Sequence, residues 1–388
     1  MSQSALSQDS ALWDLSQADA AGTAQSGTIG STAAVSVKQI SGAYWDGAAG
    51  DFDDIIPEQT AVFNASRWGE ANTEALGFYR GDTLIGGAAV LVRSLPLVAS
   101  GIAIIKWGPV WRLAGEPAET ADLAAILEAL RDEYCVRRNF HLTVMPFADP
   151  EYSEPMCDAL EKLAFKKGSM LAAPERYLVN TGVDAETLHK GLGQKWRYNL
   201  KKARKNTFDI RFADSAEGLE TFLDLYWKML ERKKFLDSSA IGSLPDLMAT
   251  QSEAIRPRVV LVSHDGAITA GGIFEFSGER ATYMFGATDN RALGLKAGYA
   301  MHWWLAEKLC AMERIRWYDL GGNDIDAGLH QFKKGFVGKL GHILITPPRY
   351  HLATSVSASL VGSAIFAARD AKAALTRAAH RLGSAKKK

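Results

Sequence analysis

Short apolar runs broken by tight polar turns dominate the chain, and between them apolar residues recur at helical spacing. Residues 75–80 and 83–92 are rich in strand-forming residues on either side of Gly81-Asp82, the pattern of a β-hairpin. Residues 102–107 read as a strand stopped by Gly108-Pro109. Leu123, Ile126, Leu127 and Leu130 follow a helical period, and residues 140–145 form a buried-type strand ended by Pro146. Residues 57–64 and 67–70 predict a short helical region, and residues 158–165 a short helix. The second half repeats the order. Residues 258–263 and 267–276 flank a turn at His264-Asp265-Gly266. Residues 281–287 form a strand, residues 296–313 a helix, residues 317–323 a strand ending in Gly321-Gly322, and residues 331–336 a basic-aromatic element. The parallel order of hairpin, strand, helix and strand predicts two copies of one α+β unit.

Between the halves, Trp196, Leu200 and Ala203 share one helical face, while Arg197, Lys201 and Lys205 share another. Phe208, Ile210 and Phe212 alternate as a strand. Residues 214–217 resemble a capping box before a helix whose buried stripe is Leu219, Phe222, Leu223, Tyr226 and Leu230. Residues 341–346 predict a further strand, stopped by Pro347-Pro348. Residues 1–36 hold too few large apolar residues to offset chain entropy and read as a disordered tail. Residues 37–175 then make a first unit and 176–346 a second. Residues 347–388 form an Ala-rich helix with a basic tail that packs back on the first unit or touches an anionic membrane.

Composition narrows the function. Lys+Arg and Asp+Glu are both 44, so no global field favours nucleic acid or membrane, and any such preference must come from local clusters. Cys135, Cys157 and Cys310 are scattered and lack metal-ligand spacing, so neither a disulfide framework nor a metal site is expected. The first ten residues show no secretory pattern, and no apolar run is long enough to span a bilayer. The expected location is the cytoplasm, with peripheral contact at the inner membrane face through the basic tail.

The hairpin, Gly-containing loop, helix and strand order resembles the acyl-CoA N-acyltransferase (GNAT) fold. In that fold the loop before the helix takes a pyrophosphate; here Arg291, Gly294 and Lys296 occupy its motif positions, with Lys296 where a small residue is usual. A closer resemblance is to the Fem-type aminoacyltransferases, which are built from two GNAT-like units. Four segments carry it: residues 105–110 around Trp107-Gly108-Pro109, residues 197–203 beginning Arg197-Tyr198-Asn199, residues 318–322 beginning Tyr318-Asp319, and residues 332–336 beginning Phe332-Lys333. The resemblance implies an α/β (α+β) chain of two tandem GNAT-like units, each a mixed, mostly antiparallel sheet flanked by helices. It implies transfer of an aminoacyl group from aminoacyl-tRNA to an amine on a peptidoglycan or other cell-envelope precursor. The donor is then a substrate, and no cofactor is required.

By the same resemblance Lys333, held beside Phe332, stabilises charge at the reacting carbonyl, and Arg197 holds acceptor phosphate. Asp319 is a further catalytic candidate. Lys201, Trp107, Tyr283 and Tyr318 are candidates for the substrate groove, and Arg67 is the cation in the early Trp-containing helix. Each has a plainer alternative: a solvated charge for the cations, a strand-end cap for Asp319, half-buried sheet residues for the tyrosines. Two other functions fit the same residues. One is a coenzyme A-dependent N-acetyltransferase acting on an amino sugar in polysaccharide assembly. The other is a catalytically silent scaffold that binds a glycan precursor.

Overall fold

A computed structural model describes residues 34–170, 175–233, 240–322 and 327–368. The described residues from 34 onward group as one unit. The expected tail lies outside the described residues up to residue 33, and the first strand begins at Val35, just inside its predicted end.

In the first half the strands are β1 (Val35–Ile40), β2 (Thr73–Arg80), β3 (Thr83–Leu95), β4 (Ser100–Lys106), β5 (Phe140–Met145) and β6 (Lys166–Lys167). Helices α1 (Gly42–Ala48) and α2 (Ala61–Trp68) follow β1, α3 (Thr120–Arg131) links β4 to β5, and α4 (Ser153–Lys162) precedes β6. In the second half come β7 (Glu175–Asn180), α5 (Ala185–Gly191), α6 (Gln194–Ala203), β8 (Asp209–Phe212), α7 (Ala216–Lys233), α8 (Leu244–Met248), β9 (Arg258–His264), β10 (Ala267–Ser277) and β11 (Arg280–Thr288). Then follow α9 (Ala292–Leu295), α10 (Ala297–Leu309), β12 (Trp317–Asp319), α11 (Ala327–Val337), β13 (His342–Ile345), β14 (Tyr350–Leu352) and a helix, α12, over 356–368.

These strands form two seven-stranded sheets, ordered β1-β2-β3-β4-β5-β14-β6 and β13-β7-β12-β11-β10-β9-β8. In each, four antiparallel strands lead to one parallel pair, β4 with β5 and β11 with β12, bridged by a helical crossover. The sixth place is exchanged between the halves. β7, which precedes the second unit's other strands, pairs with β12 and β13, whereas β14, from after that unit, pairs with β5 and β6 of the first sheet.

Local chemistry accounts for most elements. The β2–β3 hairpin turns at Gly81, whose φ of +61° suits a residue without Cβ. The α6 stripe read from sequence is real: Trp196, Leu200 and Ala203 are buried against α10 and α11. Three boundaries differ from expectation. Helix α4 begins earlier, at Ser153, with its first turn tied by bonds between Ser153 and the Asp149 backbone. Helix α7 is capped by Ser215 Oγ, which accepts from Gly218 N, because Asp214 is engaged by Arg258 and by Val259 N. The strand expected over 317–323 ends at Asp319, where the chain turns at Gly321.

The halves meet through ion pairs. Arg112 pairs with the buried Glu279 at 2.6 Å, Arg280 with Asp149, Arg316 with Glu151 at 2.7 Å, and Arg314 with Asp53 at 3.2 Å. Removing one partner of the buried Arg112–Glu279 pair costs about 3–5 kcal/mol. Burial also pushes the Asp54 carboxyl up to about 6, against the pull of Arg112, while it accepts from Trp111 N and Arg112 N at 3.0 Å. No helix among the described residues is long and apolar enough to cross a membrane.

Candidate functional site

The segment 332–336 is one turn of α11 laid against α6. Phe336 stacks flat on Trp196, centroids 4.4 Å apart and planes within 5°, and Phe332 packs on the same indole at 6.0 Å. Gly335 permits this approach: a Cβ there would lie 3.3 Å from Trp196, and its carbonyl accepts from Gly193 N at 2.8 Å. With Phe332, Gly335 and Phe336 fixed on α6, Lys333 points toward the end of β12. It is buried, donates Nζ to the Gly322 carbonyl at 2.5 Å and lies 5.8 Å from the Tyr177 ring centroid.

The turn that holds Lys333 is set from beneath by Asp319, which has no exposed surface. Its Oδ1 accepts from Gly321 N at 2.8 Å and its Oδ2 from Arg176 at 2.6 Å. The Arg176 guanidinium is stacked between Asp319 and two first-half rings, 4.6 Å from Trp107 and 4.9 Å from Phe147. A continuous line of contacts therefore runs from Trp107 through Arg176, Asp319 and the Gly321-Gly322 turn to Lys333.

Across the sheet from that line, Tyr318 and Tyr283 pack with Phe274 and His302. His302 Nδ1 meets Tyr318 Oη at 2.5 Å. Burial, and then the nearby Lys333 charge, pull the His302 imidazole down to about 3, so it is neutral at physiological pH. Three residues before Lys333, His330 is partly exposed, with Nδ1 2.6 Å from Tyr177 Oη and 3.6 Å from Glu175.

The structure thus brings together Lys333, Phe332, Asp319, Tyr318, Tyr283 and Trp107. The remaining candidates stand apart from these contacts. Arg197, half-exposed on α6, donates Nη1 to the carbonyls of Lys190 and Leu192, closing the C-terminus of α5. Lys201 is exposed on the same helix. Arg67 sits over the Trp68 ring beside an open groove of about 990 Å³ lined by α1, α2 and residues 246–252. At the β11–α10 connection Arg291 is clamped by Asp289, which also accepts from Ala292 N. Gly294 sits within the single turn of α9, and Lys296 adopts a left-handed conformation before α10. Sequence reasoning passed over Arg176, Tyr177 and Glu175, because β7 was not read as a strand. His302 and His330 are likewise absent from the candidates that the sequence offers.

Residues 194–334 match the acetyltransferase (GNAT) domain family. The crystal structure of FemX superposes with a TM-score of 0.66 at 15% identity, covering 81% of this chain and 96% of FemX. The chain has a Fem-like tandem GNAT fold, with the GNAT domain match confined to residues 194–334. Two further solved structures align over 82% of the chain and 97% of their own length. They are a tandem GNAT protein from the clavulanic acid biosynthesis pathway, at TM-score 0.40 and 10% identity, and L-PGS from Bacillus licheniformis, at 0.46 and 11%. No curated protein matches the sequence. The GNAT match begins in α6 and ends one residue after Lys333, so this tandem GNAT chain keeps Trp196, His302, Asp319 and Lys333 inside the matched segment.

Proposed function

We propose that this acyltransferase is of the Fem type, moving an aminoacyl or acyl group to an amine on a peptidoglycan or other cell-envelope precursor. The observation that carries the reading is the buried Lys333 ammonium, fixed by Gly322 and Tyr177 at the end of a sheet whose fold is shared with FemX. The acceptor nitrogen bonds to the donor carbonyl carbon, the oxygen of that carbonyl gains negative charge, and Lys333 stabilises it. His330, backed by Glu175, takes the proton from the attacking amine. The ester bond to the donor then breaks, and the leaving ribose oxygen recovers a proton. Asp319 and Arg176 position the turn that aims Lys333, and Trp107 walls the groove from the first half. Arg197, with Arg67, offers the cations for acceptor phosphates, and Lys201 offers one for the donor's backbone phosphates. The donor supplies the activated carbonyl, so neither metal nor cofactor enters the scheme. We place the protein in the cytoplasm, peripheral to the inner membrane face where such precursors are assembled.

Aminoacyl-tRNA is the donor we favour, because the α9 turn already uses the amides of Leu295 and Lys296 on the carbonyls of Arg291 and Ala292. A coenzyme A donor is the second reading. It is favoured by the GNAT match, which includes Arg291, Gly294 and Lys296. Titration with charged tRNA and with acetyl-coenzyme A at two salt concentrations separates them. Salt-sensitive tRNA binding, weakened by Lys201→Gln, supports the first; coenzyme A binding lost on changing Gly294 supports the second. With the true donor, Lys333→Met lowers kcat by about 10²–10³ at unchanged donor affinity. Full turnover by that variant would refute the role given to Lys333.

A further inference from the structure

The β3–β4 hairpin runs past the end of β2 and closes in an apolar tip. Leu97 is fully exposed there, with Leu95 and Val98 beside it. A side chain of this size left wholly in water at the end of a rigid ladder has no role in the core. Asn139 ties the tip to α12. Its Nδ2 donates to the Ala99 carbonyl at 3.1 Å and to Ser357 Oγ at 3.2 Å, and its Oδ1 accepts from Ser355. The outward side of α12 carries Val356, 78% exposed, and Leu360, 65% exposed, among small residues, while Ala358 is buried, Gly362 abuts His141 and Phe366 packs on His141 and His351. Val136, also exposed, adjoins the same junction through the bond from Thr354 to the Cys135 carbonyl.

A surface helix normally turns charged residues outward. Residues 355–368 contain no charged residue at all. The adjoining acids are neutralised, Asp132 by Arg131 and Glu133 by Arg137, while Arg93 on the hairpin stem is exposed. The 20 residues that continue from α12 hold Arg369, Lys372, Arg377, Arg381, Lys386, Lys387 and Lys388 against the single acid Asp370. An apolar face followed directly by a strongly cationic segment is the chemistry that meets an anionic bilayer. A second copy is the poorer occupant, because pairing this face would bring two such cationic segments together.

We infer that Leu95, Leu97 and Val98 of the hairpin tip, with Val356 and Leu360 of α12, form a docking surface for an anionic lipid membrane, the segment beyond residue 368 supplying the electrostatic attraction. This rests on the peripheral location proposed above and is independent of the donor.

Flotation of the full chain with phosphatidylcholine vesicles, with and without about one-third phosphatidylglycerol, tests it. The unaltered chain is expected to float with the anionic vesicles and to be released by salt. Leu97→Asp combined with Leu360→Asp is expected to lower the bound fraction at least about tenfold. Its unfolding temperature should not change, since both side chains are exposed. Lys386→Gln, Lys387→Gln and Lys388→Gln together are expected to weaken binding and flatten its salt dependence. Undiminished binding by the Leu97–Leu360 variant would overturn this surface and leave the peripheral location standing. Failure of the unaltered chain to bind either vesicle would overturn both. Light scattering that shows a Leu97-dependent dimer without vesicle binding would overturn the lipid partner in favour of a second copy.

Discussion

The line from Trp107 to Lys333 is most exposed to test at Arg176. Arg176→Met keeps a long apolar stem between the Trp107 and Phe147 rings but removes the guanidinium from Asp319. That carboxylate has no exposed surface and, among the described residues, is left with the Gly321 amide. Breaking a buried pair from one side costs about 3–5 kcal/mol. Adding Asp319→Asn, which removes the unpaired charge, should recover part of the penalty of about 3–5 kcal/mol that urea unfolding at 25 °C is expected to show for Arg176→Met alone. The same change loosens the Gly322 carbonyl that holds Lys333, so turnover at saturating substrate falls as well. A penalty below about 1 kcal/mol, or one that Asp319→Asn does not reduce, would refute the claim that Arg176 neutralises Asp319.

Two further outcomes follow from the buried Asp46 carboxyl and from the exchanged strand. Burial raises the Asp46 carboxyl from 3.8 to about 6 while its two oxygens accept from Ala61 N and Val62 N. The folded chain thus binds the extra proton between those values, and the stability this group contributes declines as pH rises through them. Measured against the unaltered chain, Asp46→Asn should gain about 3 kcal/mol in relative stability between pH 4 and pH 7, the product of about two units and 1.4 kcal/mol; a flat difference would show that this carboxyl does not titrate there. Ending the chain after Pro348 removes β14, including the buried Tyr350 whose hydroxyl donates to Glu161 at 3.0 Å, and opens the edge of β5. Relative to a chain ending at Ala368, light scattering should show aggregation and unfolding should begin at least about 3 kcal/mol earlier; equal behaviour would mean that the sixth place in the first sheet is dispensable.

What could be read from sequence was what neighbouring residues decide. The Gly81-Asp82 hairpin, the Leu123–Leu130 stripe of α3 and the Trp196–Leu200–Ala203 face of α6 each depend on contacts within a few residues, and their periodicity shows. The cap of α7 was misplaced by one residue because Asp214 and Ser215 are both good caps. The choice is made by Arg258, 44 residues away. Strand β7 was missed for a related reason. Arg176 follows Glu175 at the start of the strand, so the run opens with two charged residues, and the partner that makes Arg176 fit, Asp319, is 143 residues further along. At the site, the motif around Phe332 and Lys333 was visible as residue types, but no local pattern shows that Phe332 and Phe336 lie on Trp196 and so turn Lys333 inward. His302 looked isolated because its partners, Tyr283, Tyr318 and Phe274, come from three strands and meet only once the sheet has formed.

The exchanged strand explains why a first-half residue takes part in a second-half site. In each sheet the place beside the parallel pair must be filled by an antiparallel strand, and here each half fills it from the other end of the second unit's sequence. β7 enters the second sheet directly from the first half, and carries Arg176 on the face that meets Trp107 and Phe147 while Tyr177 faces Lys333 from the opposite side. β14 returns to close the first sheet, and its register on β5 places His351 within hydrogen-bonding reach of Thr143. The first sheet cannot be completed without β14 from beyond the second, and Arg176 is held between Asp319 and the first-half rings of Trp107 and Phe147, so the geometry at Lys333 forms only when the two units fold together. Changes at the first-half Trp107 should therefore be felt as altered turnover rather than as altered stability of the first sheet alone.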